Sequence, residues 1–223
     1  MPLYYLTILA LAGFLSGSLP FGWIVARLGG MDIRRHGSGN IGMTNVWRVM
    51  GWKAGLTVLL LDTAKGLLPV LLAQRLMATV NPPGLTVSGS NWLLLITGLA
   101  AILGHTFTPW LKFRGGKGVA TSLGVLIALY QIWVLVPLGV FLLGLAATRM
   151  VSVGSILAGL AVAAVSIAVP QLRHCMAFAI PLALLVTWTH RSNIRRILDG
   201  TESRIGSRRT EPASDDGAAS ADQ

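Results

Sequence analysis

Acidic side chains are scarce: 8 Asp and Glu stand against 18 Lys and Arg in 223 residues, and the four charged types together make up only 12%. A water-soluble domain carries about 25%. Half that proportion leaves too little polar surface to cover a globule in water, which argues against a soluble fold. Cysteine is almost absent too. Cys175 alone allows no intramolecular disulfide and no cysteine-rich metal site, and its neighbours Met176, Ala177 and Phe178 suit a passively packed thiol. Several catalytic signatures are missing. No carboxylate follows His36, His105, His174 or His190 by four or five positions, and there is no Gly-x-Ser-x-Gly elbow. Zinc-ligand spacing and a pair of intramembrane acids suited to glycosidase chemistry are missing as well. No metal and no cofactor are expected.

What fills the chain instead is apolar: 53% of residues are hydrophobic, with a mean hydropathy of +0.68. A hydrocarbon core ~30 Å thick takes about 20 apolar residues per helix. Seven stretches qualify as candidate spans: Leu3–Leu28, Ala54–Ala78, Asn91–Pro109, Val119–Tyr130, Gln131–Ala147, Val153–Val169 and Cys175–Thr189. The first starts almost at Met1, without a basic leader, and is too long for a cleavable signal, so it is expected to remain as a membrane helix. The stretch Val119–Ala147 could be one tilted helix, but Pro137 and several glycines would strain it.

Charge decides between the two. With seven spans and the N-terminus outside, fifteen basic residues fall inside, among them Arg27, Arg34, Arg35, Arg48, Lys53, Lys112, Arg114, Lys117 and Arg149. Only Arg75 and Arg173 lie near the outer face, and Lys65 lies within a span. That is the positive-inside pattern. Merging the fourth and fifth spans would put Arg149 opposite the Lys112–Lys117 cluster. The expectation is an all-α integral membrane protein with seven transmembrane helices, N-terminus outside and C-terminus cytoplasmic. Residues 1–200 would form the membrane domain. Residues 201–223, rich in Ser, Ala, Asp and Glu without apolar periodicity, would form a disordered cytoplasmic tail.

The formal net charge of +10 needs its own account. In a soluble protein it would suggest nucleic acid. Here the basic residues sit between apolar spans, so membrane topology and anionic small molecules come first, and no nucleic-acid partner is expected. The longest polar interruption contains His36-Gly-Ser-Gly-Asn-Ile-Gly-Met-Thr-Asn-Val-Trp-Arg48. Gly37, Gly39 and Gly42 with Ser38, Asn40, Thr44 and Asn45 make a backbone able to curl its N–H groups around an oxyanion. Arg34, Arg35 and Arg48 bring charge to it. The Gly-Lys-Ser/Thr ending of a nucleotide-binding loop is missing at Gly42-Met43-Thr44, so nucleotide hydrolysis is not supported.

A second loop, Lys112-Phe-Arg-Gly-Gly-Lys-Gly118, repeats the combination of glycine and base. Two such loops on one face fit two phosphate sites or one shared trough. At the end of the last span, His190 and Asn193 are three residues apart on one helical face among arginines. Thr148-Arg-Met-Val-Ser152 adds an inside Arg and Ser. Asp62 and Lys65 lie three apart inside the second span, where ionisable residues are costly. Either a mutual ion pair that positions a loop or direct catalysis would explain them.

Taken together, these stretches resemble one family, the bacterial inner-membrane acyl-phosphate:glycerol-3-phosphate acyltransferases (PlsY). The likeness rests on Ser18-Leu-Pro-Phe-Gly22, Asp32-Ile-Arg-Arg-His-Gly-Ser-Gly-Asn-Ile-Gly42 on to Arg48, and Asp62-Thr-Ala-Lys-Gly66. It continues through Gly104-His-Thr-Phe107, Phe113-Arg-Gly-Gly-Lys-Gly-Val-Ala-Thr121, His190-Arg-Ser-Asn-Ile-Arg-Arg196 and Gly200-Thr-Glu202. Met43, where the family usually has a small residue, and Pro109, one position late after His105, depart from the pattern.

The resemblance implies transfer of a fatty acyl group from acyl phosphate to the 1-hydroxyl of glycerol 3-phosphate, at the cytoplasmic side of the inner membrane, by a monomer. It implies an acyl-phosphate loop of Gly37, Ser38, Gly39, Asn40, Gly42, Thr44 and Asn45. Glycerol 3-phosphate would be held by Arg48, Lys117, Ser152, His190 and Asn193, and Ser38, Arg48, His190 and Asn193 would be the catalytic set. An organic-phosphate transporter or an acyl-CoA-dependent transferase are the rival readings. A transporter would show two related halves and a midplane site, and the chain shows neither.

Overall fold

The structure, a computed structural model, describes residues 3–80 and 87–206. Every regular element among them is helical. Inside hydrocarbon only a helix satisfies its own backbone within one segment. The leucine-rich runs comply, with some of their leucines pointing outward, Leu72 68% and Leu143 72% exposed, and others such as Leu93 and Leu182 buried. The helices are α1 (Leu3–Ser18), α2 (Phe21–Leu28), α3 (Met43–Met50), α4 (Trp52–Val80) and α5 (Val87–Thr106). They continue as α6 (Val119–Tyr130), α7 (Leu135–Thr148), α8 (Val151–Ala168), α9 (Met176–Thr189) and α10 (Arg191–Leu198). The main packing pairs are α1 with α5, α4 with α6, α7 with α8, α3 with α4 and α8 with α9. Cys175 is buried in the largest apolar cluster, beside Tyr130 and Phe178. Of the tail expected from residue 201, positions 207–223 lie outside the described residues.

Six runs among the described residues are long and apolar enough to cross a membrane, by length and composition, against seven expected. The difference is the stretch Val119–Thr148, which counts as one run of 30 residues. A straight helix of that length would part its ends by about 45 Å. Here the ends meet. Lys117, just before α6, donates to Asn193, and Ser152, at the start of α8, donates to Glu202, which also accepts from Asn193. The stretch therefore doubles back. It does so at Gln131, whose φ of 49° and ψ of −122° interrupt the helix before a 3-10 turn over Gln131–Val134.

The first run is broken as well. Pro20 has no N–H and its ring excludes the helical carbonyl four residues back, so α1 stops at Ser18 and α2 begins at Phe21. Such a break strands carbonyls in an apolar layer. Ser18 Oγ donates to the Leu15 carbonyl at 2.8 Å, Thr108 Oγ1 to the Ser18 carbonyl at 2.6 Å, and Lys65 Nζ to the Leu19 carbonyl at 2.6 Å. Trp110 Nε1 in turn donates to Ser18 Oγ at 2.9 Å. The break thus ties α1 and α2 to α4 and to the loop after α5. Replacing Thr108 by Val keeps the shape and orphans the Ser18 carbonyl. Its expected cost is about 1–3 kcal/mol, read as a lower thermal midpoint of the detergent-solubilised protein than wild type.

Candidate functional site

Three loops and α10 gather on one face. Leu111, from the loop after α5, packs in one apolar cluster with Ile33, Ile41 and Val46 of the 29–51 region. Thr189 Oγ1 donates to the Lys117 carbonyl at 3.3 Å, and the Ile205 N–H to the Arg149 carbonyl at 2.8 Å.

In the first loop, Asp32 is a strut. Its carboxylate accepts from Arg34 at 2.7 and 2.9 Å and from Arg27 at 3.1 Å. The Arg34 hydrogen bond, more than any other influence, holds it well below the usual carboxylate range. Asn45, 3% exposed, is the knot of the loop. Its Oδ1 accepts from the Ser38 N–H at 2.9 Å, and its Nδ2 donates to the carbonyls of His36 at 3.1 Å and Asn40 at 2.9 Å. Gly37, at φ 61°, is obligatory, because a Cβ there would lie 2.3 Å from Asn45 Oδ1. Asn40 Oδ1 accepts from the Gly42 N–H at 2.8 Å.

Of the N–H groups that the sequence offers to an oxyanion, those of Ser38, Gly39 and Gly42 are used within the loop. Asn40 and Asn45 supply most of the internal acceptors, so their side chains shape the loop. Ser38 and Arg48 are exposed, while Thr44 is half-buried one helical turn before Arg48 on α3. Met43 packs against the Ile33–Val58 cluster, which accommodates its size.

The second gathering joins four separate segments. Lys117 donates to Asn193 Oδ1. Asn193 Nδ2 and Ser152 Oγ donate to Glu202 Oε1 at 2.6 and 2.7 Å, and Arg196 Nε donates to Glu202 Oε2 at 2.8 Å. Ser152, His190 and Asn193 are 3%, 2% and 6% exposed. Burial, then the nearby Arg196 and Arg48 cations, lower the Lys117 ammonium to about 8, against the pull of Glu202. Arg48, exposed on α3, thus adds positive charge to the surroundings of Lys117. His190 Nδ1 donates to the Val186 carbonyl at 2.8 Å, which leaves Nε2 as an acceptor on a neutral ring. Burial and the Lys117 charge push that imidazole down to about 4.

Composition places Glu202 in the polar tail and so hides it as a site residue. The signal lay in Gly200. At φ 69° it ends α10 in a left-handed cap, with the N–H of Gly200 on the Ile197 carbonyl at 3.2 Å and that of Thr201 on the Arg196 carbonyl at 2.8 Å. The cap turns the chain back along α10 and delivers Glu202 to Arg196. What results is a half-buried basic cluster with one internal carboxylate, a hydroxyl, an amide and a neutral imidazole. Such a set suits a phosphate-bearing molecule with a hydroxyl to orient.

Comparisons with known proteins agree in kind. A family model described as glycerol-3-phosphate acyltransferase matches residues 7–200. A glycerol-3-phosphate acyltransferase of Synechococcus sp. (strain JA-2-3B'a(2-13)) is 45% identical over 202 residues, 90% of this chain and 95% of that protein. The crystal structure of PlsY (YgiH), an integral membrane glycerol 3-phosphate acyltransferase, is similar in its glycerol 3-phosphate form, with a TM-score of 0.81 and 37% identity over 90% of this chain and 96% of that one. Its lysophosphatidic acid form gives a TM-score of 0.79 at 37% identity, over 90% and 95% of the two chains.

The Asn45 knot can be tested by an isosteric change. Asn45→Asp sets a carboxylate oxygen against the His36 and Asn40 carbonyls. The expected loss is about 2 kcal/mol or more, seen as a lower thermal midpoint together with faster tryptic cleavage at Arg34, Arg35 or Arg48.

Proposed function

The chain belongs to the glycerol-3-phosphate acyltransferase family, and on that premise we propose that it transfers a fatty acyl group from acyl phosphate to the 1-hydroxyl of glycerol 3-phosphate, releasing lysophosphatidate and inorganic phosphate. The observation that carries this reading is the Lys117–Asn193–Glu202–Ser152 cluster, with the neutral His190 ring buried close by. Lys117, Arg48, Ser152 and Asn193 hold the glycerol 3-phosphate, and His190 Nε2 accepts from its hydroxyl. Ser38 and Arg48 meet the acyl phosphate, on a loop shaped by Gly37, Gly39, Asn40, Gly42, Thr44 and Asn45. An apolar cleft between α5 and α9, lined by Leu99, Leu103, Phe107, Leu184 and Trp188, ends two residues before His190 and supports a donor with a fatty chain.

Acyl phosphate is already activated, so positioning and charge stabilisation suffice without a covalent enzyme intermediate. The acceptor oxygen attacks the acyl carbonyl carbon, and collapse of the tetrahedral oxyanion breaks the bond to phosphate. Arg48 and Lys117 offset the charge that develops. The proton goes first to a substrate phosphate, whose second pKa is about 6. An imidazole held near 4 is the weaker base, and Asp32 and Glu202 are both engaged by cations and donors. His190 orients the hydroxyl and takes no net charge.

Seven membrane crossings, with the doubled-back stretch at Gln131 counted as two, put the loops that carry Arg34, Lys117 and Arg149 on the cytoplasmic side. The N-terminus lies outside, and the membrane is the bacterial inner one. The chain acts as a functional monomer in this proposal.

Purified protein in detergent, given palmitoyl phosphate or palmitoyl-CoA with labelled glycerol 3-phosphate, is expected to form lysophosphatidate from the acyl phosphate alone. Product from palmitoyl-CoA would reassign the donor, and no product in folded protein would sink the reading. Lys117 adds a pH signature. Its ammonium is present below about 8 and lost above, while the substrate phosphate is already dianionic. The KM for glycerol 3-phosphate should therefore climb as pH rises through that value, and Lys117→Arg should flatten the climb.

A further inference from the structure

Three ionisable side chains sit where membrane-embedded helices rarely keep any. Asp62 and Lys65 lie on α4 and His105 on α5, and the acyl-transfer chemistry uses none of them. Their side chains are 2%, 2% and 3% exposed. Asp62 Oδ1 stands 2.8 Å from Lys65 Nζ and 3.7 Å from His105 Nδ1. Lys65 is anchored at its other side on the Leu19 carbonyl, at the break between α1 and α2. Stability alone does not account for such a group, since apolar residues of similar volume often serve a buried site as well or better.

The far edge of the imidazole shows where the group leads. A Cβ on Gly116 would lie 2.2 Å from His105 Nε2, so the backbone at Gly116 rests directly against the ring. The Gly116 N–H donates to the His105 carbonyl at 3.2 Å, and the Gly115 N–H to the Thr106 carbonyl at 3.0 Å. The next residue is Lys117. The chain that presents this ammonium is therefore seated on His105, His105 faces Asp62, and Asp62 is tied through Lys65 to the first helix break.

We propose that Asp62, Lys65 and His105 are positioning residues for the acceptor site, a buried clamp that fixes the Gly115-Gly116-Lys117 backbone so that Lys117 reaches Asn193 and the phosphate of glycerol 3-phosphate. This rests on the acyltransferase reading above. The clamp accounts for the paired glycines, which a merely basic loop would not need. It also explains why a lysine and an aspartate three residues apart persist in an apolar helix. One ångström of misplacement in a positioning group can cost about 100-fold, so a rigid seat under Lys117 has a kinetic consequence that a general gain in stability lacks.

The test is steady-state kinetics with glycerol 3-phosphate and palmitoyl phosphate varied independently, beside the thermal midpoint of each protein. Asp62→Asn and His105→Gln each remove one contact. The double variant D62N/K65M removes both charges together, so no uncompensated ion is left to unfold the helix. Gly116→Ala pushes the loop off the ring from the other side. Each is expected to raise the KM for glycerol 3-phosphate by about tenfold or more while the KM for palmitoyl phosphate stays within about twofold. Combining Gly116→Ala with His105→Gln should add little to either change alone, because both act at one contact.

A folded D62N/K65M variant with the wild-type KM for glycerol 3-phosphate overturns the clamp. Equal increases in both KM values, with a fallen midpoint, overturn it too, since they mark a structural role only. If the wild-type protein acylates no glycerol 3-phosphate, the functional reading falls first and takes the clamp with it. An active wild type with unaffected variants removes the clamp alone.

Discussion

Everything on the candidate site face depends on how the backbone is satisfied where the first apolar run breaks. A proline in the middle of a span leaves carbonyls without donors in a medium that supplies none. The donors come from elsewhere in the fold: the Lys65 ammonium to Leu19 and the Thr108 hydroxyl to Ser18. Because these donors sit on α4 and on the loop after α5, the break becomes the joint that registers three elements. It sets where α2 emerges, and α2 carries Arg27 to Asp32 at the start of the glycine-rich loop. The same Lys65 leads through Asp62 to His105 and the second basic loop. A helix-breaking residue, costly in isolation, fixes both loops against one another.

Much of this was legible in the sequence, and the limits have physical causes. The basic and glycine-bearing segments stood out because an apolar chain offers few other polar residues, and Lys117, Ser152 and Asn193 do meet around Glu202. For the stretch Val119–Thr148, apolar length alone fits one tilted helix. Only charge placed its two ends on one side, and hydropathy carries no record of the backbone reversal at Gln131. The glycine-rich loop was recognisable, but which N–H groups it would keep for itself was not. That depended on Asn45, seven residues past Ser38, folding back under the loop. Glu202 escaped because composition places it in a polar tail, whereas a single left-handed residue, Gly200, returns it to α10.

The pairing at Asp62 and Lys65 shows a different limit. Spacing put the two residues on one helical face, and either an ion pair or catalysis fitted. Their near-complete burial and the bond from Lys65 to a backbone carbonyl favour the structural role. Sequence could not supply that, because the partner, the Leu19 carbonyl, is a backbone group with no identity of its own. Motifs report side chains, and several of the hydrogen bonds that order this face, those from Lys65, Thr108 and Thr189 among them, end on main-chain atoms far away in sequence.

The scarcity of acids now has a physical sense. Of the acidic residues described, Asp32 holds Arg27 and Arg34, Asp62 holds Lys65 against His105, and Glu202 holds Arg196 while accepting from Asn193 and Ser152. Asp199 alone is exposed. Each buried or half-buried carboxylate is thus engaged by a cation, which it fixes in place. An anionic substrate requires this economy of negative charge. A carboxylate with spare charge beside the cluster would repel a phosphate and would raise the Lys117 ammonium that burial has lowered, whereas one saturated by three donors organises the cations without opposing the ligand. Neutral groups do the remaining work: Asn193 links Lys117 to Glu202, and the uncharged His190 ring presents an acceptor without adding a proton to be lost. Positioning by neutral and fully paired groups is what lets Lys117 and Arg196 stand together on this face.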